Sequence, residues 1–260
     1  MIVKFHKYQG AGNDFVIIDN RQGIVSIGKE ALAINLCHRK FGVGSDGLIF
    51  IENTIEADFV VDFLNPDGSR SFCGNGSRCA VQFAVDNKVF IGNKTSFLAS
   101  DGIHFATIKE ASINVEMKNV EKVNKINQDY FAETGSPHYV SYFKSIDDVD
   151  MIEFGQKIRY STEFKEKGTN VNAVEELSPN HIKVRTYERG VEDETLACGT
   201  GVTACALSYA ILNDIESDTI NIDAVGGQLK VSFIKGRDNS FTNIWLEGPA
   251  DFVFKGEVNV

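Results

Sequence analysis

Apolar and polar residues alternate along most of this chain, and that two-residue period predicts a fold built mainly of strands. Residues 2–8 (IVKFHKY) alternate strictly enough to form a half-buried strand. Runs at 14–19, 47–52, 58–64, 103–108 and 112–118 are rich in Val, Ile and Phe and read the same way. Further strands are expected at 138–143, 170–176, 181–187, 219–223, 228–234 and 241–247. In 181–187 the residues Ile182, Val184 and Thr186 share one face. Helical spacing is rarer. Residues 29–40 carry Leu32, Ile34, Leu36 and Cys37, and 145–159 open with Ser145 and Asp148 as a capping-box-like pair. Two more helices are expected at about 76–87 and 201–213, each behind a Gly-rich turn. Their buried stripes are Ala80, Val81, Ala84 and Val85 in the first, and Val202, Ala206, Tyr209 and Ala210 in the second. The stretch 118–131 (KNVEKVNKINQDYF) is polar and has no period, which makes it the candidate domain boundary.

The chain repeats itself. CGNGSRCA at 73–80 resembles CGTGVTACA at 198–206, with the leading cysteines 125 positions apart. GAGNDFVI at 10 and GSPHYVSY at 135 lie at the same offset. A constant offset points to two halves of like topology, each contributing one cysteine.

Composition narrows the class. At 260 residues with 43% hydrophobic and 24% charged residues, the chain is long enough for one or two globular domains. Its net charge of −10 disfavours nucleic acid and anionic membrane as partners, and leaves a small-molecule substrate. No run approaches the ~18 apolar residues of a membrane span, and no secretory h-region opens the chain. The expected compartment is therefore the cytoplasm. Five cysteines, an odd number without zinc spacing, argue against both a disulfide framework and a metal site. Cys37, Cys79 and Cys205 lie inside helical patterns and read as small buried apolar residues. FGVGSDG (41–47) lacks the Lys-Ser/Thr that a phosphate loop needs.

Cys73 and Cys198 each precede a Gly-x-Gly turn that opens a helix. A helix N-terminus offers unpaired N–H groups and about half a positive charge, which binds carboxylate and favours thiolate over thiol. The helix terminus alone shifts a thiol by about one pKa unit, so desolvation and polar neighbours must contribute. His138 and Glu188 are the candidate helpers. Two thiols, one from each half, suit inversion of a carbon centre: one removes a proton while the other delivers a proton to the opposite face. Rival readings are a thiol hydrolase with Cys198 and His138, and a redox pair of Cys73 with Cys198.

The stretches GAGNDF (10–15), FGVGSDG (41–47), FLNPDGSRSFCGNGSRC (63–79), GSPH (135–138), GTNVNAV (168–174), VRTYERGVEDETLACGTGVTA (184–204) and EGPADFVFKGE (247–257) occur in order over nearly the whole chain. In these the chain resembles the diaminopimelate epimerase family; a proline or hydroxyproline racemase is the near rival. The resemblance implies a cofactor-independent epimerase that interconverts LL- and meso-diaminopimelate in lysine and peptidoglycan biosynthesis, often as a homodimer. It implies Cys73 and Cys198 as the catalytic thiols, tuned by His138 and Glu188. It implies substrate contacts from Asn13, Asn65, Gly74, Asn75, Asn170, Glu188, Arg189, Gly199 and Thr200. Gly47 and Ser136 stand where some members carry Gln and Asn. The implied fold is α+β, with two pseudo-symmetric domains, each a curved mixed sheet or barrel around a central helix. These domains would be 1–117, with a strand at 250–260 returning to it, and 118–249; the active site would lie in the cleft between them.

Overall fold

The computed structural model describes residues 2–26, 28–109 and 112–259. The chain divides into two compact units, Met1–Val115 with Gly248–Val260, and Glu116–Glu247. The first unit begins with β1 (Ile2–Gly10), β2 (Asn13–Asp19), α1 (Lys29–Cys37), β3 (Gly47–Glu52), β4 (Phe59–Leu64) and α2 (Gly74–Asp86). It continues with β5 (Lys94–Ala99), β6 (Gly102–Lys109) and β7 (Ser112–Glu116). After β8 (Val123–Ile126), the second unit runs β9 (Asp129–Glu133), β10 (Pro137–Phe143), α3 (Met151–Arg159), β11 (Asn170–Ser178) and β12 (His181–Glu188). It closes with β13 (Asp193–Thr195), α4 (Gly199–Leu212), β14 (Ser217–Ala224), β15 (Gly227–Lys235) and β16 (Phe241–Gly248). The last strand, β17 (Asp251–Asn259), pairs antiparallel with β1 in the first unit.

The two units use one topology. In the first, β1–β2 is antiparallel, β2–β3 parallel, β3–β4 antiparallel, β4–β5 parallel, and β5–β6 and β6–β7 antiparallel. In the second the same order runs β9–β10, β10–β11, β11–β12, β12–β14, β14–β15 and β15–β16. Each parallel step is bridged by a helix: α1 and α2 in one unit, α3 and α4 in the other. The repeat seen in the sequence is therefore a repeat of whole crossover units.

Within the first unit the sheet has two apolar faces. Phe15, Ile17, Ile49 and Ile51 pack with Cys79, Ala80, Val81 and Phe83 of α2. The alternate residues Val16, Ile18, Leu48 and Phe50 pack with Leu32, Ala33 and Leu36 of α1. Strand β3 is therefore buried on both sides, which is why it reads as a continuous apolar run. Each such side chain contributes about 1.5–3 kcal/mol by leaving water. Helix α2 is buried from Gly74 to Val81 and packs against β1, β2, β3, β4 and β17. In the second unit α4 is buried on every side over most of its length, packing on β9, β10, β11, β12, β14 and β15. A helix apolar all round is a central helix. Two glycines and three alanines among its fourteen residues let strands approach its backbone closely.

Both central helices also end alike. Asn87 and Asn213 are their C-caps, and each donates from Nδ2 to the carbonyl four residues earlier, Phe83 and Tyr209. Lys88 and Asp214 then turn through left-handed backbone at φ 52° and 53°.

Some boundaries differ from the sequence reading. Helix α3 starts at Met151, capped by Asp150, whose Oδ1 accepts from the N–H groups of Ile152 and Glu153 at 3.0 and 2.9 Å. Ser145 and Asp148 do not cap it. Arg185 donates to the carbonyls of Ile146 and Val149 at 2.6 and 2.9 Å, holding 145–149 as a loop. Helix α1 stops at Cys37 because His38 Nδ1 accepts from Lys40 N and Phe41 N in a tight turn. Ile34 faces solvent at 51% exposure rather than the core. The polar stretch 118–131 contains β8 and the start of β9, joined by a tight turn at Asn127, φ 57°. Strands β5 and β13 were not anticipated.

Candidate functional site

Two thiols occupy equivalent places at the starts of α2 and α4. Cys73 is the N-cap of α2 at φ −130°, ψ 109°, and Cys198 is the N-cap of α4 at φ −116°, ψ 113°. Both are extended residues whose carbonyls accept the first helical hydrogen bonds, from Ser77 N at 2.8 Å and Val202 N at 2.9 Å. Earlier N–H groups in each first turn have no intrahelical acceptor. In α2 the Cys73 sulfur takes one of them, Gly76 N, at 3.4 Å. That bond favours the ionised sulfur. Cys73 is half-buried and Cys198 is 9% exposed. Cys37, Cys79 and Cys205 are buried, and burial pushes all three thiols up from their ordinary pKa. They are inert packing residues, as their positions in helical patterns suggested.

The 125-residue offset extends to the partners of each thiol. In the first unit Asn75 Nδ2 donates to Asn13 Oδ1 at 2.5 Å. At the equivalent positions of the second unit, Thr200 Oγ1 meets His138 Nε2 at 2.8 Å. Each pair joins the first turn of a central helix to the strand beside it, β2 or β10. The backbone beside both pairs is closely packed at a glycine. A Cβ on Gly10 would lie 3.1 Å from Cys79 Sγ, and one on Gly201 2.8 Å from Asn172 Oδ1 and 3.1 Å from His138 Cε1.

In the first unit the structure brings Cys73, Gly74, Asn75 and Asn13 together. Asn13 Nδ2 donates onward to Asp46 Oδ2 at 3.0 Å, and Asp46 is held by Arg39 at 2.5 Å. Asn65 is placed differently. Its Nδ2 donates to Ser69 and Ser71 at 3.1 Å within the turn that leads from β4 to Cys73. Gly47 lies against a ring: a Cβ there would sit 2.3 Å from Phe63 Cε2. A glutamine at 47 would require that ring to move.

The second unit gathers Cys198, Gly199, Thr200, His138, Asn170 and Ser136. Cys198 Sγ and Thr200 Oγ1 are 3.4 Å apart. Ser136 Oγ bonds both His138 Nε2 at 2.9 Å and Thr200 Oγ1 at 3.0 Å. On the far side of the ring, Asn172 Nδ2 lies 3.2 Å from His138 Nδ1 and donates to Tyr139 O at 2.8 Å, while its Oδ1 accepts from Thr186. The closer contacts, Asn172 Nδ2 to Nδ1 and Nε2 to Thr200 Oγ1 at 2.8 Å, favour the ring proton on Nε2. Asn170 Nδ2, 3.3 Å from Nε2, directs its hydrogens to Pro137 O and Ser136 Oγ. His138 therefore donates towards Thr200 and Ser136, and the Thr200 hydroxyl is free to donate to the Cys198 sulfur. His138 is fully buried, and burial pushes its pKa down to about 3, with the charge of Arg189 acting in the same direction. It is held neutral, with the Thr200 hydroxyl between its ring and the Cys198 sulfur.

Asn170 also ties Arg189 to this cluster. Its Oδ1 accepts from Arg189 N at 2.8 Å and its Nδ2 donates to Pro137 O at 3.1 Å. The Arg189 side chain is exposed and donates to Lys167 O at 2.8 Å. Gly168, at φ 74°, leaves room for it: a Cβ there would lie 2.5 Å from Arg189 Cδ. Glu188 ends β12, half-buried and paired in register with Asp193.

Sequence reasoning missed Asn172, Thr186 and Thr134, whose hydroxyl donates to Thr200 O at 2.8 Å. Asn172 carried a signal: Asn170 and Asn172 are two apart on one strand and share a face. Among the described residues, no group of three or more His, Cys, Asp and Glu is placed to hold a metal ion.

The arrangement has known relatives. A family model described as "Diaminopimelate epimerase" matches residues 5–123 and 130–253. A diaminopimelate epimerase of Flavobacterium psychrophilum is 49% identical over 256 residues, covering 97% of this chain and 99% of that protein. That of Aquifex aeolicus is 38% identical over 278 residues, covering 99% and 98%. Among solved structures, a Bacillus anthracis phenazine biosynthesis protein of the PhzF family superposes with a TM-score of 0.79 at 14% identity, covering all of both chains. A hydroxyproline epimerase from Agrobacterium vitis superposes at 0.72 with 12% identity, covering 99% of this chain and 91% of that one. These two show the fold: an α+β chain whose two units each wrap a mixed sheet around a central helix. With a family model spanning almost every residue from 5 to 253 and full-length relatives at up to 49% identity, the chain belongs to the diaminopimelate epimerase family.

Proposed function

We propose that this protein is a cofactor-independent epimerase that interconverts LL- and meso-diaminopimelate, with Cys73 and Cys198 as its two acid–base groups. The observation that carries this reading is the duplicated thiol: two cysteines with the same backbone conformation, each heading a buried central helix. Epimerisation moves one proton. The ionised sulfur takes the α-proton from one face of the carbon, and the thiol on the other face delivers its own. The sulfurs exchange states, so the reverse reaction uses the same groups. The electron pair left on carbon delocalises into the adjoining carboxylate. The helix starts at Gly74–Asn75 and Gly199–Thr200, with the positive end of each helix dipole, suit that developing charge. Asn13, Asn65, Asn170, Glu188 and Arg189 would hold the rest of the substrate. Arg189, the fixed cation among them, suits the distal carboxylate.

The second unit argues against a thiol hydrolase. That chemistry needs a basic histidine at the sulfur, whereas His138 is buried, neutral and bonded to Thr200. We place the enzyme in the cytoplasm, in lysine and peptidoglycan precursor synthesis; among the described residues no helix is long and apolar enough to cross a membrane. A homodimer is supported by the exposed apolar run Phe252, Val253 and Phe254 on β17; a monomeric sedimentation mass would overturn it.

The test is direct. Purified protein incubated with LL-diaminopimelate should yield the meso isomer on chiral chromatography, with the rate unchanged by chelators and by removal of pyridoxal phosphate. Absence of the meso isomer, or loss of activity on chelation, would contradict the proposal.

A further inference from the structure

Arg78 is the fifth residue of α2 and is 0% exposed. Arginine is rarely buried without a carboxylate partner, because leaving water is costly for a charge. Its hydrogen bonds go instead to neutral acceptors: Nη2 to Asn75 Oδ1 at 2.9 Å and Nε to Pro249 O at 3.4 Å. Its Nη1 is buried with no hydrogen-bond partner among the described residues. The repeat makes this more pointed. The equivalent position in α4 is Thr203, whose hydroxyl is satisfied by Gly199 O at 2.8 Å. Helix packing alone therefore does not call for a cation here.

Two consequences follow from the geometry. First, Arg78 orients a chain of amides. Asn75 Oδ1 accepts from Arg78, so Asn75 Nδ2 faces Asn13 Oδ1, and Asn13 Nδ2 faces the Asp46 carboxylate. Each link is donor to acceptor in one direction, from cation to anion, and flipping either amide would set donor against donor. Second, the guanidinium needs a counter-charge. Two thiols lie on the same helix, and both favour the charge that burial disfavours. Cys79 follows Arg78 directly, and Cys73 caps the helix five residues before it, about 7.5 Å along the axis at ~1.5 Å per residue. Cys79 is fully buried with its thiol pushed up, so it stays neutral. Cys73 is half-buried and already accepts an N–H from Gly76.

We propose that Arg78 is a positioning residue of the first thiol site: a buried cation that fixes the Asn75–Asn13 amide pair and takes the Cys73 thiolate as its counter-charge. This rests on the acid–base role proposed for Cys73.

The test compares the full-length protein with Arg78→Met and Arg78→Lys. Three quantities are measured: Tm, kcat and KM for LL-diaminopimelate, and the rate at which iodoacetamide alkylates Cys73 at pH 7 in a Cys198→Ser background. Arg78→Met should keep or raise Tm, since it removes a buried charge without a carboxylate partner. It should lower kcat/KM of the order of 10–100-fold, as misplaced substrate contacts do. It should slow alkylation roughly three- to tenfold, because less of the sulfur is ionised. Arg78→Lys keeps the charge but not the planar fork, so it should restore alkylation while KM stays raised. Parent rates in Arg78→Met would overturn the proposal. So would losses that track a lowered Tm and are equal in the methionine and lysine variants. If the unsubstituted protein fails to convert LL-diaminopimelate, the functional reading fails, while alkylation and Tm still decide the role of Arg78.

Discussion

His138 shows how a residue singled out by motif gains its meaning from its neighbours. Alone it is an ordinary histidine; in the fold it is enclosed by Ser136, Thr200, Asn170 and Asn172 and loses its basicity. Its low pKa makes stability depend on pH. The native chain keeps His138 neutral down to about pH 3, while in the unfolded chain it takes up a proton near its ordinary value of 6.5. Between those limits the unfolded state binds more protons, so stability is lost as pH falls. His138→Asn should remove up to about 1.4 kcal/mol of that loss per pH unit between pH 6 and 4, read from urea unfolding. An unchanged pH slope would mean that His138 is not neutral in the native state. Arg78 was illegible for the opposite reason. A charged residue on a helix reads as solvated, and its burial shows only once α2 is known to be central.

At the scale of elements, long alternating runs were legible because each has one face in a core. Strand β3 falls at 47–52, as its continuous apolar run indicated. Short or half-polar strands were not legible. In β8 only Val123 is buried, with Asn124 and Lys125 in water, so the period is too brief to see. Strand β5 buries Thr95, whose hydroxyl bonds Asp58, and its polar residue hides the alternation. The start of α3 was misread because tertiary bonds from Arg185 decide where the loop ends. The same helix supplies a prediction whose sign depends on packing. Gly→Ala inside a helix ordinarily stabilises by roughly 0.5–1 kcal/mol. At Gly155 a Cβ would lie 2.2 Å from Tyr187 Cγ. Gly155→Ala should therefore destabilise by about 1–3 kcal/mol in denaturant unfolding, the usual cost of overpacking. A stabilised variant would show that α3 sits further from β12 than described.

For the whole molecule, the informative feature was the repeat. Two CGxG turns at a fixed offset indicated duplicated halves, and the strand pairings repeat step for step. The candidate site was legible to the same depth: both thiols and the residues two after each were visible as motif. The supporting atoms were not, because Asn172, Thr186, Asp46 and Arg78 belong to the site only through three-dimensional contacts. Duplication also frames the chemistry. In the proposed mechanism the two sulfurs trade acid and base roles from unlike surroundings, with buried Arg78 on the helix that one caps and neutral His138 behind Thr200 at the other.

Deuterium transfer probes that division of labour most directly. LL-diaminopimelate is turned over in heavy water to a small extent of reaction, and recovered substrate and product are weighed by mass spectrometry. With one sulfur removing the proton and another delivering a solvent-derived one, the meso product should carry deuterium at the inverted α-carbon and the recovered LL isomer should carry none. Cys73→Ala and Cys198→Ala should each abolish formation of the meso isomer. Deuterium in both isomers from the outset, or undiminished turnover in either alanine variant, would contradict the account.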